Sequence, residues 1–373
     1  MKLIHLSDLH LGKRVNEFSM LEDQEFILLR ILKIVEEEAP EGVLIAGDVY
    51  DKSVPSEDAM KLWDRFLIAL ADRQIPVFAI SGNHDSAVRF SDHGALVEGR
   101  GIHLSPAYEG VIPMYTLTDE FGPVNIYLLP FVRPAQVRSF FPEEKITDYT
   151  DAVRTALSKA PVNLEERNIL LSHQFVTGAS CCDSEEVNVG GLANVDASVY
   201  ASFDYVALGH IHGPQWVSRE TIRYSGTPLK YSFSEKDHKK SVTVLELKEK
   251  GNVLIRTIPL KPKHEMREIR GTFEDIISQG ANEDYVKVVL TDEEEVMEAM
   301  GKLRHVYPNI MELSYDNRRT RNNQVIRDLA DVDHKSPVEL FEEFYEIQNN
   351  QPMDDEQRRF VTDLIEKIWG GNV

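Results

Sequence analysis

The sequence predicts an α/β fold, and two observations carry this prediction. From residue 1 to about residue 212, short apolar runs alternate with stretches in which apolar residues recur at helical spacing, as in βαβ units around a mostly parallel sheet. Several of these runs are followed at once by Asp, Asn or His, as expected where parallel strands end beside a ligand site. Two arrangements fit the alternation: one sheet between two helical layers, or two packed sheets with helices outside.

Six apolar runs predict the strands of this region. They occupy residues 3–7, 43–46, 76–80, 126–129, 169–172 and 205–208. Amphipathic helices are predicted between the first three runs, at residues 19–38 and 56–72. Further strands are predicted at residues 221–226 and 241–248.

A segment with two prolines and several basic residues, IPLKPKHEMREI at residues 258–269, predicts a domain boundary. We therefore expect a first domain at residues 1–260 and a small α+β domain at residues 261–330. The small domain shows a strand–helix–strand–helix–strand pattern, with its second helix predicted at residues 294–305.

The last part of the chain, residues 331–373, predicts a tail of two acidic helices with aromatic faces. Ser336, Pro337 and Glu339 form a capping box with proline at the first helical position. The second helix is predicted to begin at residue 354 or 355. Such faces suit either docking on the chain's own domain or binding another protein's helices.

Composition and charge narrow the classes of function. A net charge of −21 over 373 residues argues against a broadly basic nucleic-acid-binding surface, although a local positive cleft remains compatible with it. No apolar run approaches the length needed to span a bilayer, and the N-terminus enters a strand pattern at once, so we expect a cytoplasmic protein without membrane association. The adjacent Cys181 and Cys182 exclude a disulfide scaffold, and we interpret them as loop residues rather than a redox pair.

The predicted strands end in residues of one chemical kind. Acid, amide and imidazole groups follow five of them: Asp8 and His10, Asp48, Asn83 and His84, His173, and His210 and His212. The carboxyl ends of parallel strands meet at one rim, so these groups are expected to converge. Mixed oxygen and imidazole donors without a thiolate favour manganese, iron or zinc over a purely oxygen-bound magnesium or calcium ion. The set is too large for one ion, which predicts two metals bridged by Asp48 and attack by metal-bound water.

The ordered motifs D-x-H, GD, GNHD, a single H and GHxH resemble those of the calcineurin-like metallophosphoesterase superfamily. The segments HLSDLHLGK, AGDVYDKSVPS, GNHDSAVRF, LSHQFVTG, ALGHIHGPQ and YSGTPLKYSFSE resemble, within it, the bacterial SbcD (Mre11-like) nuclease subunits. The resemblance covers most of residues 1–235. It implies a four-layer α/β/β/α sandwich with a small α+β capping domain and a C-terminal helical hairpin.

The resemblance also implies a role for each site residue. One manganese ion would be held by Asp8, His10, Asp48 and His212, and the other by Asp48, Asn83, His173 and His210. His84 would not be a ligand. It would act as the general acid that protonates the leaving alkoxide, a task suited to imidazole.

The activity implied is that of a manganese-dependent DNA nuclease, with 3′–5′ exonuclease action on duplexes and endonuclease action on single strands and hairpins. The partners implied are DNA and an SbcC-type (SMC/Rad50-like) ATPase bound through the C-terminal helices. A homodimer within a heterotetramer is also implied. The alternatives are a small-molecule phosphodiesterase or phosphoprotein phosphatase on the same dinuclear core, and a non-catalytic scaffold for the ATPase.

Other residues near the motifs have open roles. Asp51 stands where some relatives carry a second histidine, and it could hold a histidine or a water. Asp85 is predicted either to orient a histidine or backbone group or to form the turn. Several arginines could hold DNA phosphates or simply be solvated: Arg89, Arg133, Arg138 and the RRTR run at residues 318–321.

Overall fold

The computed structural model describes residues 1–92, 94–185, 194–318, 320, 337–349 and 351–369. The chain divides into two compact units, Met1–Glu265 and Met266–Val373. In the described part of the chain, no helix combines the length and the apolar character that crossing a membrane requires.

The first unit contains fourteen strands and six helices within its described residues. The strands are β1 (Lys2–Leu6), β2 (Arg14–Val15), β3 (Phe18–Ser19), β4 (Gly42–Ala46), β5 (Val77–Ile80), β6 (Ile102–Leu104), β7 (Met114–Asp119), β8 (Gly122–Leu129), β9 (Arg167–His173), β10 (Tyr205–Gly209), β11 (Gln215–Val217), β12 (Arg219–Tyr224), β13 (Ser241–Leu247) and β14 (Val253–Pro259). The helices are α1 (Leu21–Glu38), α2 (Glu57–Asp72), α3 (Ala87–Phe90), α4 (Gly94–Val97), α5 (Pro134–Phe140) and α6 (Tyr149–Ser158).

These strands form two six-stranded mixed sheets. The first has the order β14-β13-β1-β4-β5-β6, in which β1, β4, β5 and β6 run parallel and β13 and β14 are antiparallel additions at one edge. The second has the order β11-β12-β10-β9-β8-β7, in which the four central strands are parallel and the two edge strands antiparallel. A short hairpin joins β2 and β3.

The two sheets pack face to face, with helices on their outer surfaces. Leu3 and Phe78 of the first sheet share one buried core cluster with Ile126 and Leu171 of the second. A second cluster joins the opposite face of the second sheet to Val153 of α6 and its neighbours. Helices α1 and α2 each carry a buried apolar stripe, as expected of helices that cover the outer face of the first sheet. The structure is therefore a four-layer α/β/β/α sandwich, which confirms the predicted fold class and selects the second of the two arrangements.

Strands covered on both faces explain the strong apolar signal. Every residue of β4 and of β5 is buried, as is typical of central parallel strands. The six predicted strands and the helices at residues 19–38 and 56–72 are all present, with Ser56 accepting a hydrogen bond from the Ala59 amide as the cap of α2. The sequence did not predict α6, whose buried face consists of Ala152, Val153, Ala156 and Leu157 and so carries little apolar surface.

The sandwich is also tied together at the edge opposite the strand ends named above. Arg167, at the start of β9, is 2% exposed and pairs with the carboxylate of Asp119, where β7 ends. The same guanidinium donates to the carbonyl of Lys248 at 3.0 Å, just after β13 of the other sheet. This buried ion pair therefore links the two sheets far from the predicted site.

The second unit contains a small parallel sheet. Its elements are β15 (Met266–Gly271), α7 (Phe273–Ser278), β16 (Tyr285–Leu290), α8 (Ala299–Arg304), β17 (Ile310–Tyr315), α9 (Pro337–Asn349) and α10 (Asp355–Trp369). The strand order is β15-β16-β17, with a buried core that includes Ile276, Val288 and Leu303. The predicted strand–helix–strand–helix–strand order is present.

One helix of this unit is shorter than predicted, and part of the predicted tail lies outside the described residues. The helix predicted at residues 294–305 begins only at Ala299, because Glu298 adopts a left-handed conformation (φ 54°) that interrupts helical geometry. The two tail helices are present, but Ser336 of the predicted capping box lies outside the described residues. The division of the chain at residues 260 and 330 into three domains stays a prediction.

Candidate metal centre

The site is built where five parallel strands end. Strands β1, β4 and β5 of the first sheet lead into Asp8 and His10, Asp48, and Asn83 and His84, while β9 ends at His173 and β10 leads into His210 and His212. Direct bonds join the two sheets at this rim. The His210 amide donates to Asp8 Oδ1 at 2.9 Å, and His173 Nδ1 lies 2.8 Å from the carbonyl oxygen of Ala46. The structure thus brings together all the residues that the sequence predicted for the site.

The backbone at the strand ends adopts conformations that L-residues rarely take. The φ angles are 53° at Asp8, 46° at His10, 49° at Asp48 and 100° at His210. Such conformations are each unfavourable by about 1–3 kcal/mol and persist where neighbouring contacts hold them, commonly at functional sites. Here the Asp8 amide donates to the Gly47 carbonyl at 2.9 Å and the His10 amide donates to the Asp48 carbonyl at 3.0 Å. The rim is therefore held against local strain so that these side chains point inward.

Two glycines permit the close approach of the strand ends. A Cβ on Gly82 would lie 2.1 Å from Asp48 Oδ1, and a Cβ on Gly209 would lie 1.9 Å from the carbonyl oxygen of Ala46. No side chain fits at either position. This explains why glycine precedes the site residues in the GNHD and GHIH motifs.

Three donors form the first cluster: Asp8, His10 and His212, with ligand atoms within 4.8 Å of one another. His10 Nε2 and His212 Nε2 are 3.1 Å apart. Because His212 Nδ1 lies 2.7 Å from Ser184 Oγ, its Nε2 can present a lone pair to His10. Asp8 Oδ2 is buried without a hydrogen-bond partner. Two ring nitrogens at this distance, beside a buried carboxylate oxygen without a partner, fit a shared cation.

The second cluster contains Asp8, Asp48 and His173, again with ligand atoms within 4.8 Å. The Ala46 carbonyl can only accept, so His173 Nδ1 carries a proton and Nε2 is the nitrogen that would face a metal ion. This Nε2 lies 3.0 Å from Asn83 Oδ1 and 3.2 Å from Asp48 Oδ2. His210 Nδ1 lies 2.9 Å from the same Asn83 oxygen. Asp48 Oδ2 is also 3.8 Å from His10 Nε2, which places this carboxylate between the two clusters.

Burial sets the protonation of the cluster. Burial lowers the pKa of His10 to about 4 and that of His210 to about 3, and it lowers the pKa of His212 as well. These rings are neutral near pH 7 and can act as ligands. Burial raises the pKa of Asp8 to about 7.

His173 behaves differently from the other rings. Burial opposes its charge, but the Asp48 carboxylate outweighs burial and raises the pKa of His173 to about 9. A protonated imidazole thus balances the carboxylates where a cation would otherwise do so. Oxygen and imidazole donors around two centres fit two divalent metal ions.

His84 also faces His10 and Asp48, with side-chain donor atoms within 4.8 Å of one another, but it is more exposed than either of them. Its amide donates to Asp48 Oδ1 at 2.9 Å, and its Nδ1 lies 2.9 Å from the carbonyl oxygen of Asp51. The side chain is partly exposed and lines an open cavity of about 430 Å³. The other lining residues are Asp51, Lys52, Ser53, Val54 and Asn83. With Nδ1 occupied, Nε2 of His84 is the nitrogen available to a bound molecule.

Asp51 and Asp85 each hold neighbouring groups of the site in place. Asp51 holds His84 through its main-chain carbonyl, while its carboxylate lies 2.7 Å from Lys13 Nζ and 3.6 Å from His10 Nδ1. Asp85 accepts hydrogen bonds from three amides, those of Gly82, Val49 and Tyr50. Asp85 therefore orders the backbone of two strand ends rather than a histidine.

Sequence reasoning missed the residues behind His212. Ser184 and Glu235 face its Nδ1, and Glu185 accepts from its amide. Glu235 lies in the YSFSE segment that contributed to the resemblance, but no pattern marks it as buried. Cys182 also lies beside this group, and burial raises the pKa of its thiol to about 12, so it is protonated.

The arginines differ in their surroundings. Arg138 donates to the carbonyl of Ile146 at 2.8 Å and so supports its own loop, whereas the guanidinium of Arg133 lies 5.1 Å from the centre of the Phe131 ring. Arg89 is exposed. In the RRTR run, residues 319 and 321 lie outside the described residues. Contact with phosphates stays a prediction for all of them.

Comparison with known families and proteins shows similarity along the whole chain. Residues 1–214 match the family model described as calcineurin-like phosphoesterase. Residues 262–349 match the model described as type 5 capsule protein repressor C-terminal domain. The chain is 32% identical over 380 residues to the SbcD subunit of the SbcCD nuclease of Staphylococcus epidermidis, covering 99% of this chain and 99% of that protein.

Two solved structures are also similar to this chain. The protein TT1561 of Thermus thermophilus matches with a TM-score of 0.39 at 11% identity, covering 69% of this chain and 98% of that one. A dimetal phosphatase from Danio rerio matches with a TM-score of 0.42 at 12% identity, covering 69% of this chain and 95% of that one.

The charge on His173 predicts how the stability of the metal-free protein depends on pH. Its pKa is raised to about 9 in the folded protein, above the ordinary value of 6.5. The resulting stabilisation is complete below about pH 6.5 and is lost as the pH rises through 9. After EDTA treatment, urea unfolding should show a loss of roughly 1–3 kcal/mol between pH 6.5 and 9. A His173→Gln variant should lack this dependence, and an equal dependence in both proteins would contradict the assignment.

Proposed function

Since this chain belongs to the calcineurin-like phosphoesterase family and to the SbcD-type nuclease subunits within it, we propose that it is a manganese-dependent DNA nuclease. The observation that carries this proposal is the convergence of seven donor residues at one rim, with His84 beside them at an open cavity. We assign it both 3′–5′ exonuclease action on duplex ends and endonuclease action on single strands and hairpins. Its work in DNA repair takes place in the cytoplasm.

Each metal ion has its own ligand set in this proposal. Asp8, His10, Asp48 and His212 hold one ion. Asp48, Asn83, His173 and His210 hold the other. The short distance between His10 Nε2 and His212 Nε2, and the convergence of His173 Nε2 and Asp48 Oδ2, support this division. Mixed imidazole and oxygen donors support manganese.

Two divalent ions held there would supply Lewis acidity toward the scissile phosphate and toward the attacking water. The chain's residues supply the rest. The buried carboxylates of Asp8 and Asp48 would balance the positive charge of the ions. The strained strand ends keep these ligands in place before substrate arrives, so little reorganisation is needed during the reaction.

His84 is the general acid in this mechanism. The Asp51 carbonyl accepts from Nδ1–H and fixes the orientation of the ring. In the protonated, imidazolium form of the ring, the opposite nitrogen, Nε2, carries a second proton, which passes to the departing alkoxide oxygen and leaves the neutral ring with Nδ1–H. The amide of the same residue donates to Asp48 Oδ1, so proton donor and bridging ligand are held together.

The acidic charge of the chain is compatible with a DNA substrate. Bound cations supply the positive field at the cleft that the net charge of −21 does not. Arg89 and Arg133 contribute phosphate contacts near the site in this proposal. Arg89 follows the GNHD motif after β5, and Arg133 lies over the ring of Phe131, which in turn packs against His173.

The tail carries the contact with an SbcC-type ATPase. Phe341 and Phe360 are 40% and 68% exposed and line a groove of about 470 Å³ between α9 and α10. Apolar side chains left in water on short acidic helices suit the helices of a partner. We place two copies of this chain with the ATPase in a heterotetramer.

The activity itself is tested with purified protein, manganese and a hairpin-capped duplex, with bis-p-nitrophenyl phosphate as a second substrate. We expect cleavage of the hairpin and of the duplex end, increased by the ATPase partner. Gel analysis measures the DNA products, and absorbance measures the released nitrophenolate. Cleavage of the small ester alone, with and without the ATPase, would instead support a small-molecule phosphodiesterase.

Two substitutions separate metal binding from proton transfer. His84→Ala should retain two manganese ions but lose about 10²–10⁴-fold in DNA cleavage, because general acid catalysis contributes about that much. Asp48→Ala should lose metal binding as well, since it removes the shared ligand. Metal content by mass spectrometry and single-turnover cleavage of the hairpin measure the two effects. Normal cleavage by the His84 variant would remove its assigned role.

Truncation tests the assignment of the tail. A chain ending at residue 335 should fold, bind manganese and cleave bis-p-nitrophenyl phosphate as the full chain does. It should no longer co-purify with the ATPase, because both apolar helix faces are gone. Association at the affinity of the full chain would show that the contact lies elsewhere.

A further inference from the structure

His212 is held by polar contacts at three of its groups. Its amide donates to Glu185 Oε1 at 2.5 Å, and its carbonyl accepts from Lys240 Nζ at 2.9 Å. On the ring, Nδ1 lies 2.7 Å from Ser184 Oγ and 3.6 Å from Glu235 Oε1. We refer to Ser184, Glu185, Glu235 and Lys240 as the His212 clamp. These contacts come from two segments of the chain and converge on one proposed ligand.

The hydrogen bonds on the ring side of the clamp have a defined donor-to-acceptor direction. The carboxylate of Glu235 can only accept, so the Ser184 hydroxyl, 2.5 Å away, donates to it. Because the Ser184 hydroxyl hydrogen is engaged in this hydrogen bond to Glu235, Ser184 Oγ can only accept a hydrogen bond from the ring of His212. His212 Nδ1 must then carry the ring proton, and Nε2 is left with its lone pair. This lone pair faces His10 Nε2 at 3.1 Å, within the first cluster.

The charge at the end of this chain of hydrogen bonds is itself buried. Glu235 is 0% exposed and Lys240 is 5% exposed, and the two form an ion pair. Lys240 also donates to Thr227 Oγ1 at 2.6 Å. A buried ion pair gives little net stability compared with apolar residues of similar size. Its placement directly behind His212 therefore indicates a task other than stability.

We propose that Glu235, with Lys240 as its counter-ion, is a positioning residue that fixes the ring proton of His212 on Nδ1 and so presents Nε2 to the metal. This inference rests on the proposed function, because it assumes that Nε2 of His212 is a ligand. It assigns to Glu235 no contact with substrate. Partners of this kind orient a ligand histidine and strengthen its binding.

Replacing Glu235 by Gln should reverse the direction of the clamp, because Lys240 Nζ favours the Gln carbonyl oxygen on its own side and so turns the amide nitrogen toward Ser184. The Tyr231 amide, which donates to Glu235 Oε1 at 3.2 Å, would lose this partner. The Gln amide can donate to Ser184 Oγ, which frees the hydroxyl to donate to His212 Nδ1. The ring proton then moves to Nε2, where it faces the metal and blocks coordination. The substitution changes the size of the side chain very little, so its effect on the ring is electronic rather than steric.

The ring proton can be located directly in the metal-free protein. Long-range ¹H–¹⁵N correlation spectra of protein labelled with ¹⁵N-histidine distinguish the two tautomers, and a His212→Gln variant identifies the signal. We expect Nδ1–H in the unmodified chain and a shift toward Nε2–H in Glu235→Gln. Manganese titration should show that one of the two sites is weakened about 10–100-fold.

A second variant covers the case in which Glu235→Gln folds poorly because Lys240 is left without its counter-ion. The double variant Glu235→Gln/Lys240→Met removes both charges together, a change that is often neutral for stability. It should show the same change of tautomer and the same weakened site. Asp119→Ala is the matched control. It breaks the buried ion pair with Arg167 at the opposite edge, so it should lower stability without altering the His212 ring or manganese affinity.

The outcomes are separable. Retention of Nδ1–H in both Glu235 variants would overturn the proposal, as would a changed tautomer with unchanged manganese affinity. An affinity loss with an unchanged tautomer would also overturn it, because that result indicates a structural role alone. If the unmodified chain bound no manganese, the proposed function would fail. The tautomer measurement would still decide whether Glu235 sets the ring proton.

Discussion

Electrostatic frustration at one rim of the sandwich is the constraint on which the rest of the structure depends. Two carboxylates, an amide oxygen and several imidazole lone pairs face one another at about 3 Å, out of water. Such groups repel unless positive charge lies between them. The proton on His173 provides part of that charge. The divalent metal ions implied by the phosphoesterase family would provide the rest.

The fold withstands this repulsion by distributing the predicted ligands over two sheets. Asp8, Asp48 and Asn83 belong to one sheet, and His173 and His210 belong to the other. One core covers the outer face of the second sheet, and a shared core holds the two sheets together. Left-handed backbone at the ligands and glycine at the closest approaches then aim the side chains inward. The packed hydrophobic layers make the strand ends rigid. The strained turns that follow the strands then hold the donor side chains in a fixed arrangement.

Much of this arrangement could be predicted from the sequence, for a physical reason. Buried parallel strands are strongly apolar, so the polar residue that follows each one, such as Asp48 or His173, marks both a strand end and a site residue. The alternation of predicted strands and helices along the sequence left open whether the chain forms one sheet or two. Strand order depends on contacts between segments that are distant in sequence. The clamp behind His212 could not be predicted, because Glu235 and Ser184 acquire their roles only through burial and hydrogen-bond direction. Helix α6 was missed because its buried face is half alanine, and Glu298 shortened a helix through a backbone conformation that no pattern reveals.

The position of β1 in the first sheet has a consequence for synthesis. This strand, which leads into Asp8 and His10, lies between β4 and β13, so one of its two neighbours is made only when Ser241–Leu247 is reached. A nascent chain on the ribosome exposes the earliest ligands long before it can enclose them. Tight metal binding should therefore require the completed chain, and a ribosome-bound fragment that ends before His210 should not retain metal ions.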